Sequence, residues 1–240
     1  MAGLGWPQRL WFVRHAESLG NVANAEARKA QALRLTLEAN DSSIALSERG
    51  VAQATAFGRW MGGLPAEERP TQLLISPYLR TRDTTRLLLE AAGLDALPVT
   101  VDERLRDREQ GTLDRLTAAG FRDRYPDEAA RRDYVGKFWF RPLGGESWAD
   151  VALRLRAALL ECRLTMPDER VLVVTHDVVI LLARYVIERL TPEQAVEWSG
   201  QLRNCSLTAY SRHQNGDLAL ERFNDTAPLE ELLAGTGSDG

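Results

Sequence analysis

Short apolar runs separated by helical segments constrain the fold of this chain more than any other feature of its sequence. Residues 10–13, 73–75 and 171–174 are wholly apolar, and runs of this length predict buried strands. Residues 206–210 and 218–223 alternate in the manner of two late strands around a turn. Strands that alternate with helices predict a mostly parallel sheet with helices on both faces. The predicted fold class is therefore α/β, a three-layer α/β/α sandwich.

The segments between these runs carry helix signals. Residues 22–40 are rich in Ala, Leu, Arg and Glu, a composition that favours a helix. Ser47 is the predicted N-cap of a helix that continues to residue 61. Residues 79–92 predict a further helix that a glycine would end. Later helices are expected from Ser147 to residue 164 and over residues 177–189.

Residues 1–224 are expected to form a single domain. A chain of 240 residues with 44% hydrophobic content is sufficient for one sizeable core. Residues 112–146 have weak periodicity and predict a partly helical, lid-like excursion over the edge of the sheet. Residues 225–240 form an acidic tail that becomes rich in Gly and Ser, and we expect the end of this tail to be disordered.

Charge and composition exclude several classes of function. The formal net charge of -4 disfavours non-specific nucleic-acid binding, which needs a basic face. No stretch approaches the ~20 apolar residues of a membrane span, and the N-terminus lacks a secretory signal. Cys162 and Cys205 form no metal-binding pattern. We expect a cytoplasmic protein with no cofactor and with neither a nucleic-acid nor a membrane partner.

Chemically useful side chains directly follow three of the predicted strands. Arg14 and His15 end the first strand and His176 ends a later one, while Arg80 lies in the first turn of a predicted helix. Because ligands of open α/β sheets bind beyond the carboxyl ends of the strands, we expect these side chains to converge. The alternative for either histidine alone is a structural role at a strand end. His213 lies near a polar turn and is interpreted as a surface residue.

A phosphate group fits such a cluster. Arg14 and Arg80 carry planar, permanent charges suited to phosphate oxygens, although Arg80 could also be a solvated arginine. The sequence contains neither a Gly-rich phosphate loop nor a metal-binding motif such as HExxH. The chemistry is therefore expected to need no metal: a neutral imidazole can attack phosphorus, and a carboxylic acid can protonate the leaving alkoxide.

Several blocks of the sequence resemble those of the histidine phosphatase superfamily, the phosphoglycerate-mutase-like family. The first block is Arg14-His15-Ala-Glu17-Ser, a version of the superfamily signature. Each block alone is a weak signal, but all of them occur in order over nearly the whole chain. The stretches that carry the resemblance are residues 10–21, 46–54, 76–84, 105–111, 144–147, 173–176 and 204–206.

The resemblance implies a phosphoglycerate mutase-like fold and a phosphatase of broad specificity. It implies that His15 is phosphorylated, and a backbone carbonyl is expected to hold the ring nitrogen that faces away from phosphorus. The residues that it places around the phosphoryl group are Arg14, Asn21, Arg80 and His176, with Glu17 as a further candidate.

Three acids are candidates for the proton donor. Asp107 is the first choice, although the family usually carries the longer Glu at its position. Asp177 is the second, because in the acid-phosphatase branch an Asp directly after the second histidine is the donor. Glu109 is the third. The alternative for Asp177 is a structural acid placed favourably at a helix start.

We expect a phosphomonoester hydrolase that acts on a small phosphorylated substrate. A cofactor-dependent phosphoglycerate mutase is one alternative, but residues 106–111 lack the Asn-Glu-Arg-His-Tyr-Gly block of the mutases. A non-catalytic phosphate-binding protein is another. Residues 136–147 resemble the broad-specificity phosphatases, so that Arg141, Phe138 and Trp139 either shape the leaving-group pocket or pack a lid. Dimers are common for this fold, and a homodimer remains open.

Overall fold

The computed structural model describes residues 4–230, which fold around one six-stranded sheet. The strands are β1 (Arg9–Arg14), β2 (Gln72–Ile75), β3 (Val99–Val101), β4 (Arg170–Thr175), β5 (Leu207–Arg212) and β6 (Leu218–Asp225). The sheet has the order β3-β2-β4-β1-β5-β6, in which β1 to β4 are parallel and β5 and β6 are antiparallel to their neighbours. This architecture confirms the predicted α/β class with its mostly parallel sheet.

Helices cover both faces of the sheet. Those among the described residues are α1 (Leu19–Lys29), α2 (Glu48–Gly63), α3 (Leu79–Ala92), α4 (Ala118–Arg124), α5 (Pro126–Val135), α6 (Trp148–Thr165), α7 (Asp177–Ile187) and α8 (Pro192–Glu197). On β1, Leu10 and Phe12 belong to the core under α6 and α7, whereas Trp11 and Val13 belong to the core under α2 and α3. Alternate residues of one strand thus fill two cores, as the strand period of two requires.

Local capping chemistry explains why three helices lie where the sequence predicts them. Ser47 accepts a hydrogen bond from the Gly50 amide at 3.0 Å at the start of α2. Gly93 ends α3 in the left-handed conformation, with φ of 66°. Ser147 and Asp150 form a reciprocal capping box at the start of α6. These contacts are local, and sequence spacing therefore predicts them.

The helix predicted over residues 22–40 is wrong beyond Lys29. The chain turns at Gln31, whose φ is 52°. The residues that follow form hydrogen bonds with a distant segment instead of within a helix. The Leu35 amide donates to the carbonyl of Arg115 at 2.9 Å, and Arg34 forms an isolated bridge with Leu116. Tertiary pairing therefore overrides helix propensity in this stretch. Strand β3 and helix α8 are short elements that the sequence pattern did not indicate.

The segment over residues 112–146 carries α4 and α5, with a small core of Phe121, Ala129 and Phe140. The tail predicted from residue 225 begins later, since a 3-10 turn at Ala227–Leu229 buries Leu229 against α2. The end of that tail lies outside the described residues. Within residues 4–230, none of the helices combines the length and apolarity that a bilayer crossing requires.

Candidate active site

Two neighbouring parallel strands bring the paired histidines together. Arg14 at the end of β1 is in register with Thr175 at the end of β4, and the His15 amide donates to the carbonyl of Thr175 at 2.9 Å. The residues that follow these strand ends are His15 and His176, and their ring centroids lie 5.2 Å apart. Both rings are buried. The convergence that the strand-end rule predicts is therefore present.

The environment of His15 favours a neutral imidazole with one free nitrogen. Nδ1 lies 2.8 Å from the carbonyl oxygen of Ala16, which cannot donate, so the ring proton sits on Nδ1. Nε2 then carries a lone pair. Burial, followed by the charge of Arg80, holds the pKa of His15 well below its ordinary value. The backbone carbonyl that the sequence analysis expected is thus present, and the ring has the form of a nucleophile.

His176 presents a buried donor beside His15. Its Nε2 lies 2.8 Å from Oγ of Ser76, a hydroxyl that also accepts from the Tyr78 amide and can donate its own hydrogen to the ring. The His176 proton then lies on Nδ1, which has no hydrogen-bond partner among residues 4–230. Burial, followed by the charge of Arg80, lowers the pKa of His176 well below its ordinary value. A neutral His176 ring with its proton on Nδ1 would therefore lie next to the His15 ring.

The two predicted arginines flank the histidines. Arg14 donates from Nη1 to the carbonyl of Leu202, while its buried Nε lacks a partner within the described chain. Arg80 is buried, and its Nη2 donates to Oδ2 of Asp107 at 2.9 Å. Its Nη1 donates to the carbonyl of Asp41 at 2.6 Å and to Oδ1 of the same residue at 3.1 Å. Guanidinium groups in this arrangement can bind the oxygens of a phosphoryl group.

Asn21, in the first turn of α1 after the loop that follows β1, lines the cleft. Asn21 Oδ1 accepts from the Ser18 amide and from Asn204 Nδ2, both at 3.0 Å, and the second donor also holds the His15 carbonyl. Asn204 therefore joins this loop to the chain ahead of β5. The sequence analysis assigned Asn204 only to a late strand, so its contact with the site was missed.

Glu17 does not line the cleft, contrary to the expectation for this residue. Its Oε1 accepts from the Ser47 hydroxyl at 2.7 Å, so that the carboxylate lies at the start of α2. Gly50 permits this close packing, because a Cβ there would lie 2.0 Å from the carbonyl oxygen of Glu17. Glu17 therefore joins α2 to the loop that carries His15.

The three candidate acids have different surroundings. Asp107 Oδ2 accepts a hydrogen bond from Arg80. The same oxygen lies 3.3 Å from Nδ1 of His176, but the two atoms do not have hydrogen-bond geometry. Asp177 lines the cleft at the first residue of α7, where Oδ1 accepts from the next amide at 2.7 Å. Glu109 is exposed and lies outside the cleft. Two acids therefore remain candidates on position.

Arg141 is not brought into the cleft. It forms a bidentate ion pair with Asp150, and 62% of its side chain is exposed. Phe138 is buried in the core with its ring centroid 5.1 Å from that of Tyr185, and Trp139 is exposed. Phe138 therefore packs in the core, and Asp150 of the α6 capping box holds Arg141 at the surface.

The cleft in front of His15 has a volume of about 390 Å³ and extends well beyond the phosphate-sized pocket. Its far part is lined by segments from the end of α1 to the loop after α8. The charged residues there that sequence reasoning missed are Arg28, Asp41, Arg108, Asp114, Arg115 and Lys137. Arg108 lies in the block that contains Asp107, and Lys137 lies in the stretch 136–147 that resembles the broad-specificity phosphatases, but neither residue was assigned to the site.

This geometry defines an α/β protein that brings two histidines and two arginines together at the carboxyl edge of its sheet. The family model of the histidine phosphatase superfamily (branch 1) matches residues 10–226. The chain belongs to this superfamily. Phosphatases and mutases are found among its similar proteins, which supports an enzyme.

The similar proteins span nearly the whole chain. The 2,3-bisphosphoglycerate-dependent phosphoglycerate mutase 2 of Gloeobacter violaceus is 30% identical over 211 residues, or 86% of this chain and 87% of its own length. A mycobacterial glucosyl-3-phosphoglycerate phosphatase, solved with VO3, is 27% identical with a TM-score of 0.66, and the match covers 91% of this chain and 100% of that one. The alpha-ribazole phosphatase of Shigella flexneri, 19% identical with a TM-score of 0.72 over 90% and 96% of the two chains, supports the fold.

Asp41 supplies a negative charge where a phosphate would bind Arg80. Its carboxylate is partly exposed, and burial followed by the charge of Asp107 raises its pKa against the opposing pull of Arg80. Since this carboxylate competes for Arg80, Asp41→Asn is expected to lower the Ki of inorganic phosphate and the KM of an aryl phosphate about two- to fivefold. Asp114→Asn is the matched control, because that acid lines the same cleft but pairs with Arg115. A raised KM in Asp41→Asn would mean that Asp41 positions the arginine instead.

Proposed function

We propose that this protein is a metal-independent phosphomonoester hydrolase that acts on a small phosphorylated substrate through a phosphohistidine intermediate on His15. The observation that carries the proposal is the state of that ring: its Nδ1 is held by a backbone carbonyl at 2.8 Å, and Nε2 faces a pocket with two buried donors that lack partners within residues 4–230. The donors are Arg14 Nε and His176 Nδ1. A buried donor without an acceptor is costly, and phosphoryl oxygens would satisfy both.

The proposed reaction has two steps. Nε2 of His15 attacks phosphorus, and the bond from phosphorus to the ester oxygen breaks with its electron pair remaining on that oxygen. An acid, for which Asp107 is the first candidate, supplies the proton that completes the alcohol. The deprotonated acid then takes a proton from water as the water oxygen attacks phosphorus, the bond to Nε2 breaks with its electron pair returning to Nε2, and inorganic phosphate leaves. Arg14, Arg80 and His176 stabilise the charge on the equatorial oxygens in both steps.

A phosphoglycerate mutase is the second candidate, and the 30% identity to the mutase of Gloeobacter violaceus favours it. The block around Asp107 favours hydrolysis, because it reads Arg-Asp-Arg-Glu-Gln-Gly in place of the mutase sequence. The likeness to a glucosyl-3-phosphoglycerate phosphatase supports the same choice. The two reactions differ in the acceptor of the phosphoryl group, which is water in one and a second hydroxyl in the other.

The purified protein is expected to release phosphate from 4-nitrophenyl phosphate without added metal and at an unchanged rate with excess chelator. The reason is that the proposed steps use only side chains of the chain itself. 3-Phosphoglycerate should be assayed in parallel for phosphate and, with 2,3-bisphosphoglycerate present, for 2-phosphoglycerate. Chelator-sensitive turnover contradicts the metal-independent mechanism, and isomerisation without net phosphate release selects the mutase.

A further inference from the structure

Three cations line the part of the cleft that lies beyond the phosphate pocket. Arg28 comes from the last turn of α1, Arg108 from the loop after β3, and Lys137 from the residues after α5. Arg108 directly follows Asp107, and its amide donates to that carboxylate at 2.8 Å. Because Asp107 is the candidate donor to the leaving oxygen, the residue next to it lies on the leaving-group side of the cleft.

These cations are not neutralised by the protein. Arg28, Arg108 and Lys137 form no salt bridge within the part of the chain that the structure describes. Arg108 donates to Oε1 of Gln110 at 2.7 Å, but its Nε is buried and has no partner in residues 4–230. Lys137 contacts the Ser199 hydroxyl and lies 5.5 Å from the centroid of the Trp148 ring.

Burial shifts the ionisation of two of these groups. Burial lowers the pKa of Arg108, and burial followed by the charge of Arg108 lowers the pKa of Lys137. Asp177 lines this part of the cleft and opposes both shifts, while Asp107 and Glu146 also oppose the shift of Arg108. Asp107 is ion-paired with Arg80, and Glu146 with Arg106 and Arg154. Asp177 is thus the one of these three acids that forms no salt bridge within residues 4–230, and it faces three cations that form none there either. Arg108 is the least exposed of the three cations, and the desolvation of its guanidinium without an anion is costly unless a ligand compensates it.

We infer that Arg28, Arg108 and Lys137 form a subsite for a second anionic group, carried by the alcohol portion of the phosphomonoester. This inference rests on the proposed function and narrows its substrate class to esters whose leaving group bears its own carboxylate or phosphate-like group. The donors suit either anion, since the guanidinium forks bind planar or tetrahedral oxyanions and the ammonium acts as a point charge.

The test uses three aryl phosphates that differ in one substituent: 4-carboxyphenyl, 4-(phosphonomethyl)phenyl and the near-isosteric, neutral 4-carbamoylphenyl phosphate. Wild-type kcat/KM is expected to be about tenfold higher for at least one anionic substrate than for the carbamoyl substrate. The ratio of kcat/KM for the 4-carboxyphenyl and 4-(phosphonomethyl)phenyl substrates identifies the preferred anion. Equal kcat/KM values for all three substrates would overturn the subsite while leaving the phosphatase function intact.

Variants assign the preference to the subsite. Lys137→Met keeps the side-chain length, Arg28→Gln shortens it, and both remove the charge. Each is expected to lower kcat/KM about fivefold for the anionic substrate, with less than about twofold change for the carbamoyl substrate. Lys29→Met is the matched control, because Lys29 is adjacent on α1 but does not line the cleft. An equal loss on both substrates, or an equal loss in the control, overturns the inference.

Binding separates failure of the subsite from failure of the proposed function. Titration calorimetry of His15→Ala with the same three aryl phosphates reports affinity without turnover. The anionic esters are expected to bind about tenfold more tightly than the carbamoyl ester. If no ester is hydrolysed by the wild type but this preference is present, the phosphatase proposal fails and the subsite stands. Absence of the preference in binding overturns the subsite whether or not turnover is seen.

Discussion

His15→Ala is expected to lower phosphate release from an aryl phosphate by at least about a thousandfold, because loss of the nucleophile removes the covalent route altogether. Nδ1 of this ring forms a hydrogen bond with the Ala16 carbonyl, so Nε2 is the nitrogen that can attack phosphorus. Steady-state release of phosphate measures the loss, and rapid quenching into base measures the acid-labile phosphohistidine. His213→Ala is the matched control, since this histidine is exposed near the turn between β5 and β6.

The same variant should remain folded. The His15 side chain contributes one hydrogen bond to its neighbour's carbonyl and packs against His176, so its loss is expected to lower the free energy of unfolding by about 1–3 kcal/mol. Thermal unfolding followed by circular dichroism measures this change. Turnover within tenfold of the wild type, in a folded protein that lacks the imidazole, would contradict the assignment of His15 as the nucleophile.

The parts of the site that the sequence predicted are those that depend on local geometry. His15 and His176 each follow an apolar run, and parallel strands in one sheet bring their carboxyl ends to the same edge. Arg80 follows from its place in the first turn of α3. Each of these assignments needs only the order of strands and helices along the chain, together with the rule for where their ends meet.

The residues that were missed lie on segments whose position depends on contacts between distant parts of the chain. Asp41 reaches Arg80 because residues 30–40 leave the helical path and pair with the segment around Arg115. Lys137 reaches the cleft through the packing of the segment after α5. Glu17 was misplaced for the same reason, since the position of α2 decides where its carboxylate lies. Helix propensity and motif spacing do not encode such tertiary pairings.

Asp107→Asn is expected to lower kcat about a hundredfold to ten-thousandfold on an alkyl phosphate, whose leaving alkoxide needs a proton. On 4-nitrophenyl phosphate the loss should be far smaller, because nitrophenolate leaves without one. The KM for either substrate is not expected to rise, since Asp107 is an anion on Arg80 and its neutral replacement competes less with phosphate. Steady-state kinetics with both substrates separates these effects on kcat and KM.

Asp177→Asn is the matched comparison, because both acids line the cleft and only Asp107 contacts Arg80. The first-turn position of Asp177 in α7 gives it a structural role through the helix dipole, so its substitution should change kcat less than about threefold on both substrates. A loss confined to the alkyl phosphate in Asp177→Asn would transfer the donor role to that residue. An equal loss on both substrates in Asp107→Asn would show that this carboxylate positions Arg80 and does not deliver the proton, because proton donation must matter more as the leaving group becomes more basic.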